Sequence, residues 1–138
     1  MADLQRLSQD IIELYERISS WEQTVVRDSG LSPAQMHAVE IIGHEGELRM
    51  KELAAKMGVT TGTLTVMVDR LEGLGLVTRQ PHASDRRSFL VVLTDKGRRH
   101  FRQHQALHLE LTREMVAGLG PEEVETFSRI LTAILARV

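Results

Sequence analysis

LRMKELAAKMGVTTGTLTVMVDRLEGLGLVTRQPHASDRRSFLVVLTDKG, residues 48–97, divides into pieces of recognisable physical behaviour. A short amphipathic stretch, Met50 to Met57, meets a glycine-containing turn, Gly58-Val59-Thr60. A second amphipathic stretch runs from Thr61 to Leu74, with Thr60 as its cap and Gly73 and Gly75 at its end. Two β-rich runs follow, 76–80 and 89–93, separated by a loop tipped with arginines. Helix, tight turn, helix and basic hairpin predict a winged helix-turn-helix, a shape that sets its second helix in the DNA major groove.

Working outward, apolar residues recur in steps of three and four from Leu4 to Val25, which marks a long amphipathic helix ended by Asp28-Ser29-Gly30. Ser32-Pro33 opens the next helix, serine as N-cap and proline at the first helical position. Thr94-Asp95 caps a fifth helix running to about Ala117, and Gly120-Pro121 restarts the chain into a last helix carrying Val124, Phe127, Ile130, Leu131, Ile134 and Leu135. The expected architecture is mainly α with a small β-wing. Residues 1–30 and 95–138 supply dimerisation helices around a DNA-binding lobe at 31–94, all one interleaved domain. The apolar faces of the terminal helices must be covered by each other or by a second copy. A two-fold homodimer suits a pseudo-palindromic duplex operator read as paired half-sites.

Bulk properties narrow the function. There is no cysteine, which excludes thiol catalysis, thiol redox sensing and thiolate zinc sites. No apolar run is long enough to cross a bilayer, and the N-terminus lacks the pattern of a secretory signal, so a cytoplasmic location is expected. The net charge is −2, yet residues 49–102 hold eleven basic against five acidic side chains, a local +6. The remainder holds six against fourteen, or −8. A basic middle between acidic ends is a footprint for a polyanion. There is no His-Glu-x-x-His pattern, no glycine-rich phosphate loop and no nucleophile elbow, so an enzyme is not expected.

On the second helix of the motif, Leu64, Met67, Val68 and Leu71 share one face and belong to the core. The opposite face offers Thr61, Gly62, Thr63, Thr65, Val66 and Arg70. Small polar residues let the backbone approach DNA, and threonine hydroxyls and methyls can contact phosphates, bases and thymine methyls. Thr60 adds the positive end of the helix dipole. The expected DNA contacts are Thr60, Thr61, Thr63, Thr65 and Arg70, with Arg86 and Arg87 of the wing reaching a narrow minor groove. Asp85 is expected to pair within the wing and orient an arginine.

With these motifs in order, the chain resembles the MarR family of bacterial transcriptional regulators. The resemblance rests on Ser32-Pro33-Ala34-Gln35, on Leu53-Ala54 before the Gly58 turn, and on Val68-Asp69-Arg70-Leu71-Glu72. Gly75-Leu76-Val77, Asp85-Arg86-Arg87 and Leu93-Thr94-Asp95-Lys96-Gly97 complete it. It covers nearly the whole chain and implies a sequence-specific DNA-binding regulator, a repressor by family habit.

Six histidines raise the question of a ligand. His104 and His108 stand four apart on the fifth helix, a ready two-ligand metal clip. The resemblance extends to the family's zinc-sensing uptake repressors, which implies a zinc held by Glu22, His37, His104 and His108 and acting as corepressor. His100 extends the row by a turn as an alternative ligand. The second metal site of that branch is not expected, because the chain has no cysteine and carries Met36 and Gln103 where acids would stand. The alternative effector within the family is a small aromatic or phenolic molecule, without metal, that releases DNA. Further off stand a zinc hydrolase and a protein-interaction winged helix.

Overall fold

The computed structural model describes residues 3–85 and 87–138. Arg86, one of the two expected wing arginines, lies outside the described residues. The elements are α1 (Leu4–Ser29), α2 (Pro33–Glu45), β1 (Glu47–Arg49), α3 (Met50–Met57), α4 (Thr61–Gly73), β2 (Val77–Pro81), β3 (Phe89–Leu93), α5 (Asp95–Val116) and α6 (Pro121–Leu135). No helix among the described residues is long and apolar enough to cross a membrane.

Local chemistry accounts for the helix boundaries. Asp3 accepts from the amides of Gln5 and Arg6 to start α1. Ser32 and Gln35 form a reciprocal capping box at the head of α2, with Pro33 as its first residue. The turn between α3 and α4 needs a left-handed residue, and Gly58 supplies it at φ 67° without the steric cost a side chain would meet there. Thr60 then accepts from the Thr63 amide at 3.1 Å and opens α4.

The three strands form one antiparallel sheet in the order β1-β3-β2. Val77 faces Leu93 and Leu48 faces Val91, so the buried side chains of each pair lie on one face. Sequence periodicity predicts β2 and β3 but not β1, which is a third strand laid on the edge of the hairpin. The core beneath the sheet is made by Met36, Val39 and Ile42 of α2, Leu53 of α3 and Leu64, Val68 and Leu71 of α4. Met67, expected in that core, packs half-buried at its margin.

The chain divides into two compact units, residues 1–104 and 105–138. The first holds α1 to α4, the sheet and the start of α5. Within it, Leu4, Leu7, Ile11 and Tyr15 of α1 stay exposed. The second holds the rest of α5 and α6. There α6 buries no residue and leaves Phe127, Ile130, Leu131, Ile134 and Leu135 exposed.

Candidate nucleic-acid interface and metal centre

The core face of α4 fixes its outer face. With Leu64, Val68 and Leu71 buried, Thr61, Thr63, Thr65, Val66 and Arg70 are exposed, as is the cap Thr60. All five expected contact residues of this helix and its cap are therefore exposed. Replacing the Thr60 hydroxyl removes the acceptor for the first turn, so Thr60→Ala is expected to cost about 1 kcal/mol of stability in urea unfolding. An unchanged midpoint would mean the cap bond contributes nothing.

The wing is held by its own hydrogen bonds. The Asp85 carboxylate accepts from the Arg87 amide at 3.0 Å and from the Ser88 hydroxyl at 3.2 Å. The first of these, then the second, holds the carboxyl below the usual carboxylate range. Asp85 thus orders the tip through the Arg87 main chain and leaves the exposed Arg87 side chain to point outward from a set backbone. His82 Nδ1 accepts from the amides of Ser84 and Asp85, and Arg49 Nη2 lies 2.9 Å from His82 Nε2.

Arg79, in sequence only one positive charge among those of the basic segment, has a more particular place. It reaches back from β2 to Asp69 at 2.7 Å and Glu72 at 3.0 Å on α4. This fork fastens the base of the wing to the helix that would read bases. The signal is present in sequence: Asp69 and Glu72 are three apart, hence neighbours on α4, and the chain doubles back soon after.

A second cluster forms where α1, α2 and α5 meet. His104 is only 2 % exposed, and its Nε2 lies 2.7 Å from Glu22 Oε1 and 2.9 Å from Glu40 Oε1. Glu22, expected as a ligand, is thus beside His104. His37 is not: it is exposed, and the α2 residue that faces His104 is Glu40. The reason is the register of α2 on α5. Phe101 lies so close to Gly43 that a Cβ there would fall 2.4 Å from its ring, and His44 meets the same ring edge-on. Three residues back from Gly43 is Glu40, and three residues on from Phe101 is His104, so these two are brought together. His37 lies a further turn from Gly43. His108 follows His104 by one turn along α5, as the spacing requires. Burial, then Lys96 and Arg99, hold the His100 imidazole below its ordinary range.

Beside this cluster a cavity of about 280 Å³ opens between the end of α2 and the start of α5. Ile42, Gly43, Leu93 and Phe101 give it an apolar lining, and Arg98 and Arg102 stand at its wall.

The family model described as MarR family matches residues 31–89. The HTH-type transcriptional repressor MdtR of Bacillus subtilis is 30 % identical over 137 residues, covering 99 % of this chain and 86 % of that protein. Among solved structures, Streptococcus pneumoniae FabT in complex with DNA superposes with a TM-score of 0.85 at 26 % identity, over 97 % of this chain and 96 % of that one. A cysteine-to-serine mutant of MarR from E. coli superposes at 0.72 with 29 % identity, over 98 % of both chains.

Proposed function

The chain belongs to the MarR family of transcriptional regulators, and from that premise we propose that it is a zinc-responsive repressor which binds a pseudo-palindromic duplex as a homodimer. Family members are regulators rather than enzymes. The exposed apolar faces of α1 and α6 support pairing with a second copy, which would present α4 and the wing twice.

The observation that carries the zinc half is the convergence of Glu22 and Glu40 on the buried His104. Two carboxylate oxygens and an imidazole nitrogen suit zinc. Two acids set against one imidazole also concentrate negative charge that a dication would offset. Glu22, Glu40 and His104 would hold the ion. When bound, the ion would supply a crosslink among α1, α2 and α5. Such a link raises DNA affinity only if the ion prefers the DNA-competent setting of those helices.

The test is duplex affinity by fluorescence anisotropy on chelator-treated protein, with and without added zinc. Zinc is expected to tighten wild-type binding roughly tenfold, within the usual range of coupling between two sites. His104→Ala and Glu40→Gln, with melting checked, are expected to lose that response. A duplex affinity indifferent to zinc would sink the zinc half. It would favour the second reading, an organic acid seated in the cavity between α2 and α5, where arginines flank an apolar lining.

A further inference from the structure

Two of the threonine hydroxyls at the head of α4 are spent on its own structure. Thr65 Oγ1 donates to the Thr61 carbonyl at 2.8 Å, and Thr60 Oγ1 donates to Thr63 Oγ1 at 3.0 Å, so these two hydroxyl hydrogens are engaged within the helix and its cap. Beside them Val66 is 64 % exposed. A single exposed apolar side chain is ordinary on a protein surface. Val66 differs in its setting. From Thr61 to Asp69 the helix carries no Asn, Gln, Arg or Lys, the side chains that grip purine edges in pairs of hydrogen bonds. The one charged residue in that span, Asp69, is tied to Arg79. In the major groove only thymine among the ordinary bases offers a methyl to an apolar reader.

We propose that Val66, flanked by the Thr65 methyl, reads thymine C5-methyl groups and is the specificity-determining side chain of α4. This rests on the reading of α4 as the groove helix. It adds that base choice is made by apolar contact, with Arg70 and the wing supplying affinity.

The test begins with a duplex selected from a randomised pool by the wild-type protein. The same duplex is then synthesised with deoxyuridine in place of thymidine, which removes only the methyls. Wild-type binding is expected to weaken about fourfold per contacted methyl, hence about fifteenfold for two half-sites. Val66→Ala is expected to bind the thymidine duplex more weakly and to lose most of the thymidine preference, while Val66→Ile keeps it. Equal wild-type affinity for both duplexes would overturn the proposal. So would a Val66→Ala protein that is weaker on both with the wild-type ratio intact. Failure to enrich any duplex would instead bring down the groove-helix reading itself, and this inference with it.

Discussion

Arg87→Glu is expected to weaken duplex binding by about 10²- to 10³-fold while leaving the melting temperature unchanged. The side chain is exposed, so its replacement removes no core contact. The backbone around it is fixed by groups the substitution retains: the Arg87 amide still donates to Asp85, the Ser88 hydroxyl still does so, and Arg79 still fastens β2 to α4. What changes is the charge the wing would deliver to the duplex. The proposed symmetric pair would lose two cations and gain two anions, and about 1–3 kcal/mol for each groove contact, taken twice, brackets the stated range. The salt dependence should flatten as well, because fewer counterions are released on binding. Anisotropy titrations at several salt concentrations read both effects. An unchanged affinity with an unchanged salt slope would show that the wing does not touch the duplex.

The parts of this chain that are readable in sequence are those whose cause is local. Gly58 and Thr60 punctuate the turn between α3 and α4 by backbone freedom and a side-chain acceptor, and the apolar spacing of Leu64, Val68 and Leu71 chooses the buried face. That choice also fixes which threonines face outward. β1 is not readable in this way. It has three residues with one buried leucine, too short for a period of two to show, and it is a strand because β3 offers it an edge.

The cluster around His104 divides the same way. Spacing within one helix puts His104 and His108 on one face of α5. Which residue of α2 stands opposite His104 depends on a contact between distant parts of the chain, Phe101 against Gly43, and no periodicity contains it. Glu40 therefore takes the position expected of His37. Asp85 shows a smaller version: a pairing within the wing is expected from sequence, and the donor is the Arg87 main-chain amide.

That Phe101–Gly43 contact has a counterpart at the start of α5, where the largest stability effect is expected. Gly97→Ala should lower stability by about 2–4 kcal/mol, or roughly 10 °C in melting temperature. Gly97 is buried, and a Cβ there would lie 2.1 Å from the Leu76 carbonyl oxygen and 3.2 Å from Leu93 Cδ2. The oxygen cannot move aside cheaply, because it belongs to main chain and accepts from the Thr94 amide at 3.0 Å. Its surroundings are equally tied: the Thr94 hydroxyl accepts from the Gly97 amide, and Lys96 Nζ donates to the Leu74 carbonyl at 2.8 Å. Alanine is the better helix former by about 1 kcal/mol, which opposes the clash but falls short of it. Gly73→Ala separates the two effects. It is the same substitution at the end of α4, where a Cβ meets nothing within 4 Å and the backbone is helical, so only the gain from reduced backbone freedom applies. Thermal melts of the two variants should move in opposite directions. A Gly97→Ala protein that melts with the wild type would mean that α5 slides easily over the turn from α4 into β2. The close approach of those two segments would then not be what sets the start of α5 relative to the wing.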